Sequence, residues 1–392
     1  MPELVVVVEQ CLAPVPGGTG RYAAQIAAAL VRTAPAGWRV RSVAAWHRDV
    51  TAARVPGVRG PRRLPVGRRA LTLLWERGLP PWPLGASVHA TTPLFPRRLV
   101  LPARPARASA TDGSGRRRRP GRPVVVTVHD TVPWTHPETL TPRGVAWHRA
   151  VVARAVREAD AVVVPSRTVG DELTALFPEL GGRLAVVPHG VTELAVPDDA
   201  ERRRVALGLP PGYLLSLATL EPRKGLDVLL GALGRPECAG MVLAVAGRPG
   251  WGGLDPVELA RRAGVSPDRL RLLGGLPDAD LAAVLAGAAA LVAPSRAEGF
   301  GLPVLEAFAA GVPVVHSDAP ALVEVAGGAA VVVPRGDERA LAAALHRVTA
   351  DRDFAATLSE RGRRRAGDFD WGRSAEATWD LHLRVRDRRG RD

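Results

Sequence analysis

Short runs of contiguous aliphatic residues recur along this chain, too short for helices and too uniformly apolar to leave one face in water. A first series stands at 4–8, 40–45, 87–90, 124–128, 161–164 and 184–187, and a second at 213–220, 241–246, 270–273, 291–293, 312–316 and 329–333. Helical patterns intervene, notably over 21–33 and 143–158. A strand that is apolar throughout must be covered on both faces, and helices between consecutive strands make those strands parallel. The expected fold class is α/β: two Rossmann-like domains whose ligands sit at the carboxyl ends of the strands, in the cleft between them. The expected boundaries are 1–197 and 198–369, with the polar stretch 198–204 read as a linker. A terminal segment, 370–392, is expected to form a final helix carrying Trp371 and Trp379 over 370–385.

Length agrees, since 392 residues make about two domains. The two cysteines, Cys11 and Cys238, lie far apart without metal-like spacing, so neither a disulfide framework nor a zinc site is expected. Residues 1–8 lack the basic start of a signal peptide, and the apolar stretch 281–294 is broken by Gly287 and too short to span a bilayer. A cytoplasmic location is expected, at most peripheral at the inner face of the membrane. One segment stands outside the alternation. Apart from Thr111 and Asp112, residues 102–123 are Pro, Ala, Gly, Ser and Arg, with Arg116–119 consecutive, which reads as a mobile insertion without apolar surface to bury.

Of 53 basic residues, one is lysine. Lys224 stands in Glu221-Pro222-Arg223-Lys224-Gly225, after an apolar run and before a helical pattern. Lysine is a compact charge on a flexible stem, suited to a single phosphate oxygen, and a helix N-terminus already favours an anion. A second motif lies downstream, Glu298-Gly299-Phe300-Gly301-Leu302-Pro303-Val304-Leu305-Glu306, between a short strand and a helix expected over 303–310. Its carboxylates can each accept hydrogen bonds from paired hydroxyls, and its glycines allow close backbone approach to a ligand.

These two motifs together resemble the retaining glycosyltransferases of family 4, the group 1 transferases, which have a GT-B fold and include mannosyltransferases. Val128-His129-Asp130, Val164-Pro165-Ser166 and Val187-Pro188-His189-Gly190-Val191 fall where that family carries similar stretches. The resemblance implies that Arg223 and Lys224 hold the donor diphosphate, Glu306 the ribose and Glu298 the sugar. Phe300, Gly301 and Leu302 would assist through the helix start, and Leu273 would mark the strand end near the base. His129 would contact the donor sugar, and the final helix would cross back onto the first domain. The acceptor would attack from the side the nucleotide leaves, without an enzymatic nucleophile.

Gly17-Gly18-Thr19-Gly20 follows the first strand region and precedes a helix, so its N–H groups suit a phosphate or the acceptor; Gly18 is placed on both sides of the reaction. His129-Asp130 ends a strand at the edge where ligands bind, on the acceptor side. His189 stands where relatives carry Asn, which leaves its side-chain role open. Asp278-Ala279-Asp280 spells an Asp-x-Asp motif but opens an Ala-rich helix, so capping and first-turn charge account for it. No metal and no cofactor are expected, because Arg223, Lys224 and helix dipoles neutralise a diphosphate.

The expected function is therefore transfer of a hexose, with GDP-mannose preferred by analogy, to a glycan, lipid-linked or small-molecule hydroxyl. A sugar-nucleotide epimerase or phosphorylase on the same architecture is the first alternative. A nucleic-acid-binding protein is the second, suggested by a net charge of +14 and opposed by scarce Tyr and Phe and the lack of a reading module. The charge is uneven: residues 1–200 carry 27 arginines and 15 acids, and the rest 26 basic residues and 24 acids. Arg62, Arg63, Arg68, Arg69, Arg97 and Arg98 flank runs containing Leu71, Leu73, Leu74, Trp75 and Trp82, read as an exposed surface suited to anionic lipid.

Overall fold

The structure, a computed structural model, describes residues 1–96 and 122–391. Arg97, Arg98 and, save for Arg122 and Pro123, the insertion expected at 102–123 lie outside the described residues.

Seven strands form the first sheet: β1 (Glu3–Val7), β2 (Arg39–Trp46), β3 (Arg59–Gly67), β4 (Ser87–Ala90), β5 (Val124–Thr127), β6 (Ala161–Val164) and β7 (Leu184–Val186). All pair parallel, in the order β3-β2-β1-β4-β5-β6-β7. Six more form the second: β8 (Leu214–Leu217), β9 (Leu243–Ala246), β10 (Leu270–Gly274), β11 (Ala290–Ala293), β12 (Val314–Ser317) and β13 (Val331–Val333). These are also parallel, in the order β10-β9-β8-β11-β12-β13. Both sheets repeat the doubly wound order in which the strand sequence reverses at an interior pair, β1/β4 and β8/β11. Loops leaving a reversal point part to opposite faces and open a crevice there, which is where such sheets bind ligands.

The central strands are buried on both faces: β4, β5, β6, β9 and β12 have no exposed residue, β5, β6 and β9 being mostly Val, Leu and Ala while β4 and β12 also bury Ser and His. The final helix, Trp371–Arg391, leaves the second domain and lies against the Gly17–Arg32 helix of the first. Trp379 is fully buried there and donates its indole N–H to the Leu30 carbonyl at 3.0 Å. Ser374 donates to the carbonyl of Pro188.

Two local expectations fail, and one strand went unread. Residues 198–204, read as a linker, enter a helix at Ala200–Ala206, which Arg203 ties to Asp280 at 2.6 Å. β3 was not read as a strand, because Arg59, Pro61, Arg62, Arg63 and Pro65 hide it; it survives as an edge strand with one side in water. Leu71 and Trp75, read as exposed, are fully buried under the Arg68–Glu76 helix; they lie four residues apart on its inner face, and Leu73 takes the outer one.

Candidate active site

The chain leaving β8 at its carboxyl end turns through Pro222–Lys224 and enters the Leu226–Leu233 helix. The chain leaving the adjacent β11 reaches Ser295 and Glu298 before the Leu302–Ala309 helix. The two motifs thus meet at the reversal point of the second sheet. Glu298 Oε1 accepts from Lys224 Nζ at 2.6 Å and from Ser295 Oγ at 2.8 Å, while its Oε2 accepts from Arg223 at 3.1 Å. Arg223 Nε also pairs with Glu221 at 2.8 Å, and Glu221 is buried. The side chains of Arg223 and Lys224 are 15% exposed and that of Glu298 is 11% exposed, so the turn is a mostly buried ion cluster.

Burial would raise the Glu298 pKa, but Lys224 and Arg223 outweigh it and hold the carboxyl down to about 2. Burial likewise disfavours the Arg223 cation, and Glu298 and Glu221 more than compensate, so its pKa is raised. Glu221 is pushed up by burial against the pull of Arg223 and Lys224. The cluster is a fixed array of charge rather than a set of flexible surface groups. An ammonium has three donors and a guanidinium five, so Lys224 and Arg223 keep capacity for a bound anion while paired to Glu298.

Glu306 lies on the second turn of the helix and is 3% exposed. Its Oε1 accepts from Arg21, which reaches across from the Gly17–Arg32 helix. Arg21 was not among the expected site residues. Its one sequence signal is its place directly after the glycine turn.

Gly17, Gly18 and Thr19 were expected in a loop before the first helix, yet they form its first turn. They face the second domain: a Cβ on Gly17 would stand 3.7 Å from Thr219 Oγ1, and one on Gly18 would stand 3.8 Å from Leu302. The loop carrying Glu298 closes from the other side. A Cβ on Gly299 would fall 1.8 Å from the His129 carbonyl oxygen, so only glycine fits there. Ser166 Oγ donates to the Gly299 carbonyl at 2.8 Å, and Glu324 accepts from the backbone N–H groups of Arg167 and Thr168. Trp251 Nε1 donates to the Thr139 carbonyl at 2.8 Å. The cleft is closed on a shared set of contacts. Gly301 has φ 101°, the left-handed backbone that starts the helix at Leu302.

His129 follows β5, and its Nε2 lies 2.8 Å from the carbonyl of Thr91 at the end of β4. A carbonyl only accepts, so Nε2 carries the proton and Nδ1 is left as an acceptor. Burial lowers the His129 pKa, which keeps the ring neutral. Asp130 caps the backbone N–H of Val132. Around His129 stands an aromatic cluster of which Tyr22 alone was not singled out in the sequence. Tyr22 packs edge-on to His129 at 4.9 Å, and His189 lies 4.4 Å from Tyr22, 4.7 Å from Phe300 and stacked on Trp371. It joins both domains and the final helix, and gives the Phe300 side chain a packing role beside its backbone. Leu273 stands apart, half-buried on edge strand β10 beside a register shift at Leu272/Gly274. Asp278 and Asp280 occupy the first turn of the Asp278–Ala286 helix, but neither caps it, since the N-cap is Pro277 without a side-chain bond.

Two doubly wound parallel sheets closed on a cleft, with charged loops at a reversal point, define the two-domain α/β transferase architecture called GT-B. The sequence matches the descriptions Glycosyltransferase Family 4 over residues 16–193 and Glycosyl transferases group 1 over residues 198–365. It is 32% identical over 260 residues to the O-antigen chain mannosyltransferase B of Escherichia coli, covering 63% of this chain and 67% of that protein. It is 33% identical over 269 residues to the glycogen synthase of Mycobacterium tuberculosis, covering 67% of this chain and 63% of that one. These matches span about two thirds of each relative's length. The fold aligns with sucrose-phosphate synthase from Thermosynechococcus elongatus at a TM-score of 0.73 and 21% identity, over 98% of this chain and 99% of that one. The chain belongs to the group 1 glycosyltransferases.

Proposed function

We propose that the protein transfers a hexose from a nucleoside-diphosphate sugar to an acceptor hydroxyl with retention of configuration and without a metal ion. The observation that carries this reading is the meeting of the chain's single lysine with Arg223 and Glu298 at the reversal point of the second sheet. In this reading Lys224 and Arg223 stabilise negative charge as it develops on the departing phosphate, from positions already fixed by Glu298 and Glu221. The donors that Arg223 and Lys224 keep beyond their ion pairs take the place of a divalent ion. Glu298 and the Nδ1 of His129 accept from sugar hydroxyls, and Glu306 accepts from the ribose. Leu273 stands near the base. Gly17, Gly18, Thr19 and Asp130 border the acceptor, whose hydroxyl attacks from the side the nucleotide leaves and passes its proton to the phosphate.

The mannosyltransferase relative supports GDP-mannose as the first donor to try, and the glycogen synthase relative supports a glucose donor as its rival. A thermal-shift screen in EDTA with UDP, GDP, ADP and dTDP sugars tests both donor and metal, since a ligand that binds the folded state raises its melting temperature. Stabilisation by one nucleotide sugar supports the proposal, and stabilisation only after adding manganese contradicts its metal-free part.

Contact with an anionic membrane belongs to the same proposal. No helix among the described residues is long and apolar enough to cross a membrane. Arg59, Arg62 and Arg63 on β3 are exposed, as are Leu73, Leu79 and Leu84 in the same domain. That composition supports a lipid-facing surface, with the burial of Leu71 and Trp75 narrowing it.

A further inference from the structure

Glu306 is a buried carboxylate of the cleft, and only one of its oxygens is satisfied. Oε1 takes a hydrogen bond from Arg21, whereas Oε2 is buried with no partner. A buried carboxylate oxygen without a donor is costly, and a hydroxyl presented from the cleft would relieve that cost. The Leu302–Ala309 helix carries no other charged residue, so nothing on its own element orients the carboxylate. The orienting group comes from the opposite domain.

We propose that Arg21 is a positioning residue for the donor nucleotide: it holds Glu306 Oε1 from across the cleft, so that Oε2 is presented to a ribose hydroxyl. The inference rests on the reading of Glu306 as the ribose contact. Because Arg21 belongs to the first domain and Glu306 to the second, the ribose site is complete only when the cleft is closed. Nucleotide binding and closure then stabilise each other, as linked equilibria must.

The charges around Glu306 make the idea testable by pH. Burial raises its pKa, Arg21 opposes that rise, and Asp278 adds to it. The neighbouring elements bring His316 on β12, Glu324 on the Pro320–Ala326 helix, engaged with Arg167 and Thr168, and Arg363 on the Arg352–Ala366 helix, set against Gly311. Removing Arg21 takes away what opposes that rise, so Glu306 is more readily protonated, and a protonated carboxyl accepts hydroxyl hydrogen bonds less strongly. Raising the pH restores the carboxylate.

Calorimetry with GDP, UDP and ADP, and with the 2′-deoxy and 3′-deoxy forms of the tightest binder, decides the matter. Arg21→Gln is expected to weaken that nucleotide by about ten- to a hundredfold at pH 7, the range for losing one hydrogen bond to a charged group. The deficit relative to wild type should shrink by pH 8.5, a comparison in which titration of the diphosphate itself cancels. Arg21→Lys should recover most of the affinity, and Arg21→Gln should no longer discriminate against the deoxy forms. If Arg21→Gln unfolds, the double variant Arg21→Gln/Glu306→Gln, which leaves no unpaired buried charge, carries the test against Glu306→Gln alone: equal affinity supports the pairing, and a further tenfold loss overturns it. Arg21→Gln binding as tightly as wild type with discrimination intact, while Glu306→Gln binds weakly, would overturn the role of Arg21 alone. Unchanged binding and discrimination in Glu306→Gln would overturn the ribose reading itself.

Discussion

Replacing Gly299 by alanine adds one methyl group where the second domain touches the first. Its φ lies outside the left-handed region, so alanine suits the backbone and the effect is steric alone. The new Cβ would stand 1.8 Å from the His129 carbonyl oxygen, 2.8 Å from its carbon and 3.1 Å from Asp130 Cβ. A carbon–oxygen contact needs about 3.3 Å, so the loop and the end of β5 must part by roughly 1.5 Å. The loop is held by Ser166 to the Gly299 carbonyl and Glu298 to Lys224, and the end of β5 by His129 to the Thr91 carbonyl. Overpacking of this kind costs about 1–3 kcal/mol, which corresponds to roughly a tenfold to hundredfold loss of the closed state. In Gly299→Ala, kcat/KM should therefore fall by about that factor. Urea unfolding should change little, because Gly299 lies between the domains rather than in either core. Wild-type kcat/KM in a folded Gly299→Ala protein would refute closure of this cleft as a condition for transfer.

Lys224→Ala should lower turnover by about two to three orders of magnitude, the scale for removing one charge-stabilising donor; steady-state nucleotide release measures it, and an unchanged rate refutes the role. Glu306→Ala should weaken both free nucleotide and intact donor, whereas Glu298→Ala should weaken the donor and leave the bare nucleotide nearly unchanged, as calorimetry on both ligands will show. Acid should destabilise the protein in two stages. His89 is held down to about 3 by burial, and burial also keeps His189 and His382 well below the ordinary value. Below about pH 6.5 the unfolded chain therefore binds more protons than the folded one, and stability falls by about 1.4 kcal/mol per pH unit for each such histidine. Glu298 contributes stability above its unfolded pKa of about 4.3, and that contribution is lost as the pH falls toward 2. Urea midpoints that stay flat from pH 7 to 5 would contradict the buried neutral histidines.

The two-sheet fold was legible because strands buried on both faces spell themselves out in contiguous Val, Leu and Ala. β3 was not, because an edge strand exposes one side and tolerates Arg and Pro there. Lys224 and the two glutamates were legible as motifs, each being local in sequence. Their pairing was hidden, since Lys224 and Glu298 are 74 residues apart and meet through the order of the strands. Arg21 and Glu306, separated by 285 residues, lie further beyond sequence reasoning. So does the cluster of Tyr22, His189, Phe300 and Trp371, which exists only where both domains and the final helix converge. Leu71 and Trp75 could have been placed correctly, as their four-residue spacing marks one helix face.

The central claim, a nucleotide-sugar transferase that works from the fixed charges of Arg223 and Lys224, is tested most directly by following the anomeric carbon. Purified protein is incubated in EDTA with the nucleotide sugar that stabilises it and a panel of hydroxyl acceptors, and the product is read by NMR. Release of the nucleoside diphosphate is expected to depend on acceptor, with the new glycosidic bond in the same configuration as the donor. An inverted product, a free epimer, a sugar phosphate, or turnover only with added divalent metal would contradict it.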